Sequence, residues 1–252
     1  MISKEKIKYF NSLKIKKNRL SQKKIILEGE RLIFEFLKTN LKINYLLVEK
    51  NYSLSKIGTK IIEKAKKNNI TIEKTDNQII KQLSSTKNNQ SFIAICDMPT
   101  YKQLDYNQNI LALDHISDPG NLGTLLRTAE WFGIQNILLS EDCVDIFNPK
   151  VIRSGMGAHF YLNSIYKGSL SNKLFNLQNM GYSILGADKN GSPFSKLNLK
   201  GKWVLIIGNE ANGLSLNIKN SITDLISIPG KGNIESLNAA VAGSILLNTL
   251  IQ

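Results

Sequence analysis

Residues 228–252, IPGKGNIESLNAAVAGSILLNTLIQ, carry the chain from the end of an apolar strand into its last helix. The strand is expected over residues 225–228, and Pro229, Gly230 and Gly232 follow it. A loop that passes close to a ligand needs glycine, which tolerates tight and left-handed backbone. Ser236-Leu237-Asn238 then opens a small-residue helix, offering side-chain oxygens and free backbone N–H groups. Taken alone, this stretch fits a plain packing helix capped by Ser236. Two earlier stretches share its grammar of apolar strand, glycine- and asparagine-bearing loop, then helix.

The first is LDHISDPGNLGTLLRTAEWFG, residues 113–133. Asp118-Pro119-Gly120-Asn121 is turn chemistry, and Gly123 allows close backbone approach. Arg127 lies among apolar Leu125, Leu126 and Ala129, where a charge calls for a partner or a ligand. The plainer alternative is a surface arginine at a helix edge. The second is LIIGNEANGLS, residues 205–215, in which a buried-type strand runs into Gly208-Asn209-Glu210. A carboxylate there faces a ligand crevice, or else sits in the first turn of a helix, where its charge is favourable anyway. Gly208 and Gly213 have the outer glycine spacing of a phosphate-binding loop, but Leu214 stands where the lysine belongs, which excludes an NTPase.

Around these loops, residues 110–252 alternate throughout. Strands are expected at 110–113, 136–139, 182–187, 203–207 and 225–228, and an extended segment at 160–166. Helices are expected at 121–132, 148–155 and 171–180, and at the end of the chain. Continuous apolar strands between helices imply an α/β domain with a mostly parallel sheet buried on both faces. Ligands bind such sheets beyond the carboxyl ends of the strands. The loops after Leu113, Ile207 and Ile228 are therefore the functional ones. Together they offer Asn121, Arg127, Glu210, Ser236 and Asn238. The set contains no nucleophilic cysteine, no metal cluster and no Ser/His/Asp triad. It can position a hydroxyl and stabilise charge, which suits transfer of a group from a cofactor already activated.

Residues 1–97 read as a separate small αβ domain, with residues 98–109 as a linker. Helical spacing of Ile7, Phe10, Leu13 and Leu20 runs through a lysine-rich arm at 4–24. Strands at 25–27, 43–48, 70–73 and 92–96 alternate with an amphipathic helix that begins EGER, a helix at 54–67 and one opened by Asp76. This domain holds 21 of the 33 Lys and Arg but 9 of the 20 Asp and Glu, so it carries 21 − 9 = +12 of a net +13. A field confined to one domain points to a phosphate backbone. With 42% hydrophobic residues the chain can bury a real core. No apolar run reaches the ~18 residues that span a bilayer, and the first ten residues carry charges without an apolar stretch behind them. Cys96 and Cys143 lack metal-ligand spacing, and the expectation is a reduced, cytoplasmic setting. His115 is expected to be structural, His159 to pack rather than touch substrate, Cys143 to be inert, and Trp131 and Phe132 to serve as core or dimer contacts.

At the three loops the sequence resembles the SpoU family of RNA ribose 2′-O-methyltransferases, within the SPOUT superfamily. The pattern N-x-G-x-x-x-R is Asn121-Leu-Gly123-Thr-Leu-Leu-Arg127. The second motif is Ile207-Gly208-Asn209-Glu210 with Gly213, and the third is Ile228-Pro229, Gly232 and Glu235-Ser236-Leu237-Asn238. The first 97 residues resemble the ribosomal-protein-like αβ substrate-binding domain that often precedes this catalytic domain, with the EGER stretch at Glu28–Arg31. The third motif departs from the family's familiar form, with Gly230-Lys231-Gly232 after the proline and Ala239-Ala240 after Asn238.

The resemblance implies a parallel sheet whose C-terminal part threads a deep trefoil knot, and a homodimer that completes the active site across its interface. It implies S-adenosylmethionine held by backbone at Gly208, Ile228 and Leu237, with Asn238 beside it. It implies methyl transfer to a ribose 2′-hydroxyl, in ribosomal RNA (23S ahead of tRNA), with no metal, no membrane and no DNA substrate, since DNA lacks that hydroxyl. Arg127 is then either the general base or an electrostatic stabiliser of the developing alkoxide. Asn121 and Glu210 position and polarise, while Ser236 and Asn238 hold substrate or cofactor. The rival of another class is a non-catalytic RNA-binding or ribosome-assembly protein. A second rival, a base methyltransferase, sits poorly with the Asn-plus-Arg first motif.

Overall fold

The computed structural model describes residues 2–86, 90–197, 199 and 201–251. They form two compact units, Met1–Thr100 with Asp145–Phe160, and Tyr101–Val144 with Tyr161–Gln252.

The first unit runs α1 (Lys4–Ser12), α2 (Lys16–Gln22), β1 (Lys24–Glu28), α3 (Glu30–Phe36), β2 (Ile43–Glu49), α4 (Lys56–Lys67), β3 (Thr71–Thr75), α5 (Asn77–Leu83) and β4 (Phe92–Asp97). The lysine-rich arm is thus two helices, broken where Leu13 ends the first turn-by-turn pattern and Ile15 stands extended before α2. The sheet order is β1-β4-β2-β3, with β4 antiparallel to both neighbours and β2 parallel to β3. Phe10, Leu13, Ile26, Leu47, Ile80, Leu83, Ile93 and Ile95 bury one face.

The EGER stretch has a local explanation. Glu28, 6% exposed, accepts hydrogen bonds from Ser84 Oγ (2.7 Å), Ser85 N (2.8 Å) and Ser85 Oγ (2.6 Å), so its buried charge is satisfied. Gly29 has φ +94°, a conformation that glycine adopts without strain. Glu30 Oε2 accepts from Ser55 Oγ at 2.5 Å, and Ser55 in turn caps α4 by accepting from the Ile57 and Gly58 amides. Arg31 is exposed.

The second unit contains β5 (Ile110–Leu113), α6 (Pro119–Trp131), β6 (Asn136–Leu139), β7 (Ser164–Lys167), α8 (Leu170–Asn179), β8 (Ser183–Pro193), β9 (Trp203–Ile207), α9 (Leu216–Lys219), β10 (Asp224–Ser227) and α10 (Ala239–Ile251); α7 (Pro149–Ser154), between β6 and β7, groups with the first unit. Six strands pair in the order β10-β8-β9-β5-β6-β7, every pair parallel. The expected parallel sheet buried on both faces is present. All residues of β5, β6 and β9 are buried, because helices cover both sides. Leu170, Leu174, Leu177 and Ile218 of α8 and α9 pack on Ile110, Ala112, Ile184, Val204 and Ile206. On the other face α10 packs against α6 and β9. Gly243 makes that approach possible, since a Cβ there would stand 2.4 Å from Leu125 Cδ2 and 3.3 Å from Ile207 Cγ1.

Two departures have physical reasons. β8 runs on to Pro193, and its pairing with β10 jumps from Leu225↔Gly186 to Ile226↔Ser192. The intervening Asp188-Lys-Asn-Gly-Ser is polar and carries no strand pattern. The segment Asp145–Phe160, expected from its place in the chain to belong with residues 110–252, packs in the first unit. Buried Arg19 donates to Asp145 Oδ2 at 2.5 Å, Arg153 Nη1 lies 3.7 Å from Glu28 Oε1, and Phe160 meets Phe36 edge-on at 4.8 Å between centroids. A buried guanidinium requires such a carboxylate, and the match lies 126 residues away.

Candidate active site

The strand pairing places β5 at the centre of the second sheet, with β6 and β7 on one side and β9, β8 and β10 on the other. The loops after β5 and β9 therefore diverge from adjacent strands, which opens the crevice where ligands bind in open α/β sheets.

The loop after β5 ends at Asp118, whose side chain accepts from the Asn121 amide at 2.9 Å and so caps α6, with Pro119 in the first turn. This cap fixes Asn121 in the first turn at the mouth of the crevice. The loop after β9 is a tight turn, closed by Asn209 N to Gly213 O (3.0 Å) and Gly213 N to Asn209 O (2.9 Å). It is not an open phosphate cradle. A Cβ on Gly208 would lie 2.5 Å from the carbonyl carbon and oxygen of Gly213, so only glycine fits. Glu210 stands in this turn, exposed, rather than in a helix.

The structure joins three of the five proposed site residues. Asn121 Nδ2 donates to Glu210 Oε1, and Asn238 Nδ2 donates to Asn121 Oδ1 at 2.9 Å. The partners are 89 and 117 residues apart. Each amide has both ends used, so the three side chains hold one another in a line across the loop ends. Asn238 also caps α10, its Oδ1 accepting from Ala240 N (3.0 Å) and Val241 N (3.3 Å). The capping expected of Ser236 is thus performed two residues later. Ser236 is exposed, and among the described residues it has no hydrogen-bond partner. Arg127 is likewise exposed and unpaired among the described residues. Six residues of helix carry it about 9 Å along α6 and about 120° round from Asn121. Its neighbours Leu125, Leu126 and Ala129 are buried on the other side.

Of the residues assigned to a cofactor, Gly208 and Ile228 are half-buried at the ends of β9 and β10, and Leu237 is 45% exposed. Residues 229–238 are all exposed, and among the described residues the amides from Gly230 to Leu237 make no hydrogen bond. A separate cleft of about 710 Å³ opens beside β8 and β10, lined by Asp188, Leu214, Lys219 and Ile226; Gly208, Ile228, Leu237 and Asn238 do not line it.

Sequence reasoning missed the partners of His115. Its ring lies between Asp114 Oδ1 (2.7 Å from Nδ1) and Asp142 Oδ2 (3.0 Å from Nε2), and its backbone is left-handed at φ +56°. The one signal was a histidine in a strand-end turn. His159 is fully buried near Phe147 and Phe160, and burial pushes its pKa down to about 4, as a packing histidine requires. Burial raises the Cys143 thiol above its ordinary pKa, which fits an inert thiol. Trp131 is 83% exposed, which removes the core from its two expected roles. No helix among the described residues is long and apolar enough to cross a membrane.

The second unit is a parallel α/β sheet with the polar trio Glu210, Asn121 and Asn238 at its switch point. Residues 108–248 match the model of the SpoU rRNA methylase family, and residues 26–102 match that of the RNA 2′-O ribose methyltransferase substrate-binding domain. The chain belongs to the SpoU rRNA methylase family and is a SpoU-family methyltransferase. It is similar to the 23S rRNA (guanosine(2553)-2′-O)-methyltransferase RlmP of Bacillus subtilis (strain 168), at 31% identity over 246 residues covering 96% of this chain and 94% of that protein. It is also similar to the structure of a putative RNA methyltransferase of the TrmH family from Porphyromonas gingivalis, at 28% identity and TM-score 0.80, over 98% and 97% of the two chains. It shares its fold with the SpoU methyltransferase AviRb from Streptomyces viridochromogenes, solved in complex with AdoMet, at TM-score 0.85 and 21% identity over 99% and 97%.

Proposed function

We propose that this chain transfers a methyl group from S-adenosylmethionine to a ribose 2′-hydroxyl of RNA, ribosomal RNA ahead of tRNA. The observation that carries the reading is the Glu210–Asn121–Asn238 line of hydrogen bonds, which draws the three family motifs into one site. The ribosomal preference rests on the separate +12 domain and on the named activity of the B. subtilis relative.

The residues present fit the cofactor. The amides of Gly230 to Leu237, unpaired among the described residues, are donors for ring nitrogens and ribose hydroxyls, and exposed Ile234 and Leu237 supply apolar contact. Gly208, Ile228, Leu237 and Asn238 would hold it. When bound, it supplies a methyl group already activated on a sulfonium. The rest falls to the chain. Asn121, fixed at both ends of its amide, sets the relative position of the Glu210 and Asn238 loops, and orientation of this kind lowers the barrier without chemistry of its own. Ser236, whose hydroxyl has no partner among the described residues, hydrogen-bonds the nucleotide. A guanidinium keeps its proton and only donates hydrogen bonds, which makes Arg127 a poor base. Its solvated charge instead stabilises the alkoxide that develops as the 2′-hydroxyl attacks.

Arg127 stands away from the trio of its own chain, so we place it in the site of a second copy. Trp131, one turn further along α6, and Val241, Ile245 and Ile251 on α10 are 83%, 47%, 37% and 41% exposed. An apolar face of this kind on two packed helices suits an isologous homodimer. The return of the chain from edge strand β10 to α10, packed on α6 and central β9, suits the threaded knot of the family.

Calorimetric titration with S-adenosylmethionine, set beside a Glu210→Ala, Asn238→Ala double variant, tests the reading. Micromolar binding by the wild type, weakened at least tenfold in the variant, is expected, followed by methylation of extracted total RNA at a single mapped ribose. A folded protein that neither binds the cofactor nor methylates RNA would overturn it.

A further inference from the structure

Asp114 is a carboxylate 1% exposed at the carboxyl end of β5, one residue beyond the last strand position. A buried charge is kept only where its oxygens are used. Here Oδ2 accepts from the Ser215 amide at 2.8 Å, and Oδ1 lies 2.7 Å from His115 Nδ1. Its own amide extends the β5–β9 ladder by donating to Ile207 O at 2.9 Å. The next residue, His115, is left-handed, a conformation uncommon for histidine. In it the His115 amide donates to Ser140 Oγ at 2.8 Å, and its carbonyl accepts from Asn209 Nδ2 at 2.9 Å. Asn209 in turn holds its own loop, Oδ1 accepting from Ala211 N (2.9 Å) and Asn212 N (3.1 Å).

These contacts seize the loop after β9 at both ends, at Asn209 and at Ser215, with Glu210 between them. We propose that Asp114, acting with the left-handed backbone of His115, is a positioning residue that holds residues 209–215 and thereby keeps Glu210 in reach of Asn121. Asp114 touches neither cofactor nor RNA in this assignment. The catalytic half of the statement rests on the function proposed above; the loop-ordering half does not.

The test therefore has two readouts on the full chain. The first is amide hydrogen exchange without ligand. Asp114→Ala is expected to speed exchange at Ala211–Gly213 and Ser215 at least tenfold, leaving α6 and β9 unchanged. Asp114→Asn, whose amide oxygen still accepts from Ser215 N, is expected to recover most of the protection. Should Asp114→Ala fail to fold, Ser215→Pro removes the N–H donated to Asp114, together with the exposed hydroxyl that donates to Asn217 Oδ1 at 2.5 Å, at a residue whose φ of −66° suits proline. It should speed exchange at Ala211–Gly213 alike. The second readout is methyl transfer. Asp114→Ala is expected to lower kcat at least tenfold with RNA affinity within twofold of wild type, and Asp114→Asn to restore it. Unchanged exchange in the loop, or exchange raised evenly through the unit, would overturn the proposal whatever the activity. A loosened loop with unchanged kcat would overturn its catalytic half. A wild type that binds no S-adenosylmethionine would refute the proposed function and leave the loop result standing.

Discussion

Replacing Gly208 by alanine tests the loop after β9 at its tightest point. The added Cβ would lie 2.5 Å from the Gly213 carbonyl, where ordinary contact begins at 3.4 Å, so backbone must retreat by 3.4 − 2.5 = 0.9 Å. Two outcomes compete. If the turn stays closed, the crowding and the backbone shift it forces cost about 1–3 kcal/mol. If the turn opens, the crowding vanishes, but the two Asn209–Gly213 hydrogen bonds, at 3.0 and 2.9 Å, are lost. At about 1 kcal/mol each, that loss is about 2 kcal/mol. Opening sets the upper limit on the cost, because the turn is exposed and water can solvate its amides. The global cost is therefore capped near 2 kcal/mol, or a fall of roughly 4–8 °C in Tm for a chain of this size. Glu210 moves with the turn, so S-adenosylmethionine affinity should fall at least tenfold, about 1.4 kcal/mol. Differential scanning calorimetry and isothermal titration measure the two quantities. A Gly208→Ala protein melting within about 1 °C of wild type, with unaltered cofactor affinity, would refute the steric reasoning.

Arg127→Ala should abolish methylation yet shift Tm by less than about 2 °C, because the side chain is exposed and unpaired among the described residues; Arg127→Lys should restore only part, since a point charge lacks the guanidinium fork. An active Arg127→Ala enzyme refutes the assigned role. Trp131→Arg together with Val241→Glu should give monomers by sedimentation velocity without loss of helix content, and activity should go with the dimer; a variant that remains dimeric removes α6 and α10 from the interface. For His159, the unfolded pKa of 6.5 lies above the folded value of about 4, so the unfolded chain binds more protons between them. Stability is complete above pH 6.5 and falls as pH drops toward 4. The gap of 6.5 − 4 = 2.5 pH units, at 1.36 kcal/mol each, sets a loss of up to about 3 kcal/mol. Urea unfolding at pH 7 and pH 4.5 should show that loss in wild type and less of it in His159→Leu; equal slopes would clear His159 of responsibility.

Much of this protein was legible without coordinates. β5 and β9 are unbroken apolar runs and β6 departs from one only at Asn136, because a parallel strand covered on both faces has no polar side to show. Their loops stood out by contrast, and the glycines and asparagines in them report local demands, such as the closed turn at Gly208, that act over a few residues. Charge, too, is additive along a chain, so the concentration of lysine in residues 1–97 needed no fold to be seen. What only tertiary structure decided is non-local. The strand order β10-β8-β9-β5-β6-β7 is fixed by pairings between segments far apart in sequence. So is the packing of residues 145–160 on Arg19, Glu28 and Phe36, since a buried charge or ring takes whatever partner folding brings to it. Sequence alone named Asn121, Glu210 and Asn238 as polar groups at strand ends; that they bond to one another across 89 and 117 residues, while Arg127 on the same helix faces solvent, follows from the sheet that sets three loop ends side by side.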